Sequence, residues 1–236
     1  MMNYLNNSLD EPHQKIYHIY KLVTTNQKRD EMSKEVFEIM QKIDLKNIET
    51  QLALQCAPLI SGLKVSNLLI IRRDKLTQLI AILRSTSISF YALRDGGEKI
   101  TLLLFNEAKL ASYLKQERVI KLLAGMGYQE YSIYNILPIF RERYRKYMSD
   151  KIQFPHEMGV LLGYPIEDVE GFIRHKGRNF MLIGYWKVYE DIAAKERLFH
   201  RFEIVKATML QLIFFGMSME DIIESYRKDR LQEIAA

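Results

Sequence analysis

The chain is poor in the residues and runs that most often declare a chemistry. It holds one cysteine, Cys56, in 236 residues, which excludes an internal disulfide and any cysteine-built zinc cage. No apolar run approaches the roughly 18 residues that predict a membrane span. The segment Met1 to Leu9 is Asn-rich and has neither the cationic nor the apolar region of a signal peptide, so a cytoplasmic protein without a membrane partner is expected. Charge of neither sign dominates. Thirty-four basic against 29 acidic residues leave a formal +5, which suits a nucleic acid or an anionic cofactor without demanding either. There is no Gly-Lys-Ser/Thr loop, serine elbow or kinase signature. Gly125-Met126-Gly127 lacks the third glycine and the strand–helix setting of a dinucleotide site.

What is present is an ordinary globular composition, 48% hydrophobic and 27% charged, sufficient for a sizeable core. Ile16, Ile19, Tyr20 and Val23, behind a cap at Asp10, have helical spacing, and Met32, Val36, Met40 and Ile43 repeat it. A third helix from about Lys46 buries Ile48, Leu52, Cys56 and Leu59, and Pro58 should end or bend it. Leu63 to Ile71 reads as a strand covered on both faces, and Asp74 to Ser85 as an amphipathic helix. Ser87 to Leu93 and Lys99 to Phe105 read as a hairpin turning at Gly96-Gly97. Beyond the cap at Asn106 helices are expected throughout, including a long pair over Met181 to Ala194 and Lys195 to Phe215, with a capping box at Ser218 and Asp221. The fold class is α+β: a small mixed β-α-β-β sheet packed with a predominantly helical C-terminal half and an N-terminal helical segment. Residues 1–45 read as a helical appendage and 46–236 as a single α+β domain.

Phe154-Pro155-His156-Glu157-Met158-Gly159, continuing through Leu162-Gly163-Tyr164-Pro165 to Gly171-Phe172-Ile173, resembles the signature of an uncharacterised bacterial family, the domain of unknown function numbered 3793. Cys56-Ala57-Pro58 with Gly62-Leu63-Lys64, Lys176-Gly177-Arg178-Asn179, and Gly184-Tyr185-Trp186-Lys187-Val188-Tyr189 resemble its other motifs. The likeness covers about Leu52 to Phe202. Glu190 departs from it where glycine is expected, and Met181 to Ile183 lacks the cysteines of some members. The resemblance implies an anaerobic Gram-positive source and a setting in iron or redox metabolism, but no established activity.

Pro155-His156-Glu157 is the sharpest polar cluster. His156 and Glu157 are candidate metal ligands or an oriented general base, against the plainer reading of a helix start with Pro155 at its first position. The second histidine of a zinc-protease helix is missing. Cys56 is a candidate nucleophile if His156 meets it. Late in a helix and on its apolar face, however, it reads first as core. Tyr164, Tyr185, Trp186 and Tyr189, with Lys187, are candidates for holding a flat cofactor. The plainer reading makes the aromatics core and pairs Lys187 with Asp191 on a helix surface. The turn at Gly163 has helix-turn-helix spacing, but Glu167, Asp168 and Glu170 would repel a phosphate backbone, so an αα-hairpin is favoured and nucleic acid is disfavoured. Arg141, Arg143, Arg145 and Lys146 read as a solvated face.

Three function classes follow. The first is a cofactor- or partner-binding accessory protein in iron or redox metabolism, its partner a small redox protein such as a flavodoxin. The second is an enzyme using Cys56 and His156. The third is a helix-turn-helix regulator.

Overall fold

Asn47 opens the first labelled helix, α1 (Ile48–Ile60), by accepting the Glu49 N–H at 2.8 Å, one of the donors that a helix start leaves unpaired. The computed structural model describes residues 37–150 and 154–235. The helix expected behind Asp10, and the start of the one over Met32 to Ile43, lie outside those residues. Pro58 stands inside the last turn of α1 rather than ending it, and its carbonyl accepts the Lys64 N–H at 2.8 Å, which folds the chain back beneath the helix end.

β1 (Ser66–Arg72) leads through a short 3-10 turn to α2 (Leu76–Leu83), then β2 (Ile88–Asp95) and β3 (Lys99–Asn106). The strand order is β1-β3-β2. The sheet, expected to be mixed, is antiparallel in both pairings: Leu69 faces Leu102 across one, and Tyr91 faces Leu103 across the other. β1 and β2 run the same way, but β3 lies between them. At the hairpin the Asp95 carboxylate accepts the Gly97 N–H at 3.1 Å, and Gly97 has φ +83°, a conformation glycine adopts without a steric penalty.

Burial on both faces belongs to β3, the central strand, more than to β1. Leu102 and Leu104 face a core shared with α1, α2 and the last helices, while Leu103 and Phe105 face a second core built by the middle helices. β1 is an edge strand, and Gln55 of α1 covers part of that edge. Its amide accepts from Ile70 N–H at 2.9 Å and donates to the Ile70 carbonyl at 3.2 Å.

Asn106 caps α3 (Glu107–Leu114) through the Lys109 N–H at 3.0 Å. Then come α4 (Glu117–Gly125), α5 (Ile133–Asp150), α6 (Glu157–Leu161) and α7 (Ile166–Arg174). The turn between α6 and α7 is the αα-hairpin expected. Gly163 has φ +63°, and a Cβ there would lie 2.4 Å from Val65 Cγ2, so the glycine is needed both for backbone and for space. Pro155 is not the first residue of α6, since His156 intervenes before Glu157.

One expectation fails outright. Met181 to Ala194 is not a helix but a small hairpin, β4 (Leu182–Ile183) and β5 (Lys187–Val188), followed by one long helix, α8 (Ile192–Phe214). The reason is local. Gly184 N–H closes the hairpin onto the Trp186 carbonyl at 3.0 Å, and Asp191, in the left-handed region at φ +49°, begins α8 by accepting the Ala194 N–H at 3.1 Å. The aromatic spacing over Tyr185 to Tyr189 therefore follows two sides of a hairpin. Lys187 does not pair with Asp191 as helix neighbours would. It donates to the Gly177 carbonyl at 2.7 Å. The last helix, α9 (Met219–Ala235), starts at the expected Ser218, whose hydroxyl accepts the Asp221 N–H at 3.2 Å. Among the described residues no helix is long and apolar enough to cross a membrane.

Candidate functional site

The β4–β5 hairpin is held against α7 by one carboxylate. Asp168, 2% exposed, accepts Trp186 Nε1–H at 2.7 Å through one oxygen, and the backbone N–H groups of Tyr189 at 2.7 Å and Glu190 at 3.3 Å through the other. Glu190, where glycine was expected, thus contributes its backbone here. Gly184 lets the hairpin sit flush on α8, since a Cβ would lie 2.4 Å from the Phe199 ring. Trp186 is clamped edge-on by Phe199 at 4.6 Å and stacked on Tyr164 at 4.8 Å between centroids.

Between this hairpin, the α6–α7 turn and the strand entry at Lys64 to Leu68 lies a cavity of about 450 Å³ with mostly apolar walls. That is within the range of small-molecule sites. Tyr164, Tyr185 and Trp186 line it, as do Phe154, Phe172 and Ile173. His156 packs edge-on between Phe154 (5.5 Å) and Phe172 (5.8 Å). Its Nδ1 is buried without a hydrogen-bond partner, and burial holds the imidazole pKa below the ordinary histidine value.

Five of the candidate site residues singled out in the sequence, His156, Tyr164, Tyr185, Trp186 and Lys187, line this one cavity. The others are elsewhere. Glu157, beside His156 in the chain, is buried in another network: it accepts from Tyr128 OH and from Arg143 Nη1, both at 3.0 Å. Its carboxylate is spent on tying α6 to α5. Tyr189 stacks on His175, rings 6° from parallel, and packs over Gly171. Cys56 belongs to the first core. It is fully buried with Sγ 3.9 Å from the Leu68 carbonyl, and burial pushes its thiol up to about 12, with the Lys64 charge opposing. Among the described residues no group of three or more His, Cys, Asp or Glu is placed to hold a metal ion.

The acidic start of α7 is used inside the protein. Glu167 pairs with Lys195 of α8 at 2.7 Å, Glu170 with Arg118 of α4 at 2.6 Å, and Asp168 holds the hairpin. The Arg141–Lys146 patch is likewise partly engaged, with Arg143 in the Glu157 network and Arg141 lying 5.7 Å from the Tyr91 ring.

Sequence reasoning missed the polar residues that set the cavity's electrostatics. Lys206 of α8 pairs with Glu203 at 2.6 Å, and the Tyr185 hydroxyl donates to the same glutamate. Lys64 is only 6% exposed, with Nζ 5.1 Å from the centre of the Tyr164 ring, and Asn67 Oδ1 is buried with no donor. Burial depresses the Lys64 ammonium from the ordinary 10.5 to about 8, against a smaller opposing effect of Cys56. The available signal was a lysine between Leu63 and Val65, inside an otherwise apolar entry to a strand.

An α+β protein with a central antiparallel sheet and an aromatic-walled cavity beneath a small hairpin is the class that fold and site define. The chain belongs to the family described as protein of unknown function DUF3793, whose model matches residues 52–223. No curated protein and no solved structure matches it.

Proposed function

We propose that this protein is a small-molecule-binding accessory protein whose cavity takes a flat, largely apolar ligand. The observation that carries the reading is the convergence of the Tyr164–Trp186 stack, Phe154, Phe172 and His156 on one cavity of about 450 Å³, large enough for a fused-ring system. Preformed aromatic walls bind planar ligands with little ordering of the protein. The thiol-enzyme reading has less behind it, because a thiol held near 12 supplies almost no thiolate at neutral pH. The helix-turn-helix reading has less again, because α7 lends its first-turn carboxylates to α4, α8 and the hairpin.

Iron or redox metabolism, implied by the family resemblance, fixes which ligands to try first. Flavin mononucleotide and a porphyrin are titrated into the purified chain beside simple naphthalene derivatives, with native mass spectrometry on the protein as isolated. Trp186 is the only tryptophan and lines the cavity, so its fluorescence reports occupancy. At least one planar ligand should bind with a Kd of about 10 µM or below and change that emission. If no compound binds at 1 mM, and no small molecule travels with the protein, the reading fails. A flavodoxin-like partner, argued from the +5 charge alone, is read out in the same preparation by what co-purifies.

A further inference from the structure

Every charged group on the cavity wall except one has a strong polar partner inside the protein. Lys206 and Glu203 neutralise each other at 2.6 Å. Asp168 is satisfied by three N–H donors, and Lys187 donates to the Gly177 carbonyl at 2.7 Å. Lys64 is the exception. It is 94% removed from solvent, no carboxylate among the described residues lies within ion-pair distance, and its Nζ lies 5.1 Å from the centre of the Tyr164 ring. The backbone here is hydrogen-bonded on both sides, with Lys64 N–H on the Pro58 carbonyl and the next carbonyl, that of Val65, accepting the Asn106 N–H at 2.9 Å.

An ammonium in a low-dielectric site without a counter-ion is strongly disfavoured, and proteins retain such a group where something else supplies the opposite charge. We propose that Lys64 is the anchor for a carboxylate on the planar ligand, so that the cavity selects aromatic or fused-ring monoanionic acids. This rests on the ligand-binding reading above and narrows it to a substrate class. Asn67, on the same wall, has an unbonded carboxamide oxygen. A single point charge matches a monoanionic carboxylate better than a phosphate dianion, which would call for more donors.

The test compares naphthalene-2-carboxylate with naphthalene-2-carboxamide, equal in shape and different in charge, by isothermal titration calorimetry at pH 7. The carboxylate should bind the wild-type chain at least about tenfold more tightly, the difference expected between charge-assisted and neutral hydrogen bonding. In Lys64→Met the preference should collapse to within about threefold, with the carboxamide affinity kept. Equal affinities for the two compounds in the wild type would overturn the carboxylate assignment and leave the ligand-binding reading standing. Binding of neither would overturn the carboxylate assignment, and the ligand-binding reading falls with it only if flavin mononucleotide and the porphyrin also fail to bind and no small molecule travels with the protein. The wild-type pair decides whether a carboxylate is preferred, and the loss of that preference in Lys64→Met, with Lys64→Gln as the second variant, decides whether Lys64 is the group responsible.

Discussion

Replacing Asp168 by alanine should lower the stability of the chain by about 4 kcal/mol, equivalent to a fall of roughly 8–16 °C in Tm at this size. The substitution leaves Trp186 Nε1–H, Tyr189 N–H and Glu190 N–H without their acceptor. All three are bonds to one carboxylate that is itself 2% exposed, where each contributes about 1.5–3 kcal/mol and the sum is less than additive. Asp168→Asn is the informative companion. Its remaining oxygen can still serve Tyr189, but its NH2 group meets the indole N–H donor to donor, so it should fall between alanine and the wild type. Differential scanning calorimetry reads the stability, and a red shift of Trp186 emission reports loosening of the hairpin. A Tm change below about 4 °C for the alanine variant would mean that the hairpin is held by its aromatic packing instead.

Lys64→Met should move stability the other way, and only over a defined pH range. Its folded pKa lies near 8 against the ordinary 10.5 of an exposed lysine. Between those values the unfolded chain keeps a proton that the folded chain has released, so the contribution of Lys64 to stability rises with pH across that window. Below about 8 both states are charged and the full penalty of burying the ammonium is present, about 3 kcal/mol from 1.36 kcal/mol per pKa unit. Methionine fills similar space without the charge, so the variant should be more stable than the wild type by about 2–3 kcal/mol at pH 7. The gap should close as pH approaches about 10.5. Cys56 titrates in the opposite sense above pH 9, but in both proteins, and so largely cancels in the difference. Urea unfolding at pH 7 and pH 10 checks this. A variant no more stable at pH 7 would mean that the ammonium is already compensated. A stabilising substitution that abolishes carboxylate selection would be the signature of a residue kept for function at the expense of stability.

Much of the fold could be read from local signals because local physics dictated it. The Gly96-Gly97 hairpin, the Asn106 and Ser218 caps and the Gly163 turn are each settled by a few neighbouring residues, and each stands where the pattern put it. The order of the strands is a different kind of information. Which strand lies in the middle depends on where α2 carries the chain, and only the continuous burial of Ile100 to Phe105 hints at it. The stretch Met181 to Ala194 has an aromatic spacing that mimics a helix, while the acceptor that fixes it as a hairpin, the Asp168 carboxylate, lies 18 residues before Trp186. The candidate site was legible as residue types. His156, Tyr164, Trp186 and Lys187 do share a cavity. The separation of Glu157 from that cavity was not legible, since its partners Arg143 and Tyr128 lie on other elements.

The single cysteine has a practical consequence. Cys56 is fully buried between α1 and β1, with its thiol held near 12, so alkylating reagents can reach it only when that layer comes apart. Its rate of labelling by iodoacetamide in native buffer should therefore be slower than that of a free thiol by roughly the equilibrium constant for opening. It should respond to Asp168→Ala only if the hairpin and the first core open together. With no second thiol to confuse the signal, one mass shift per molecule clocks how often the protein breathes.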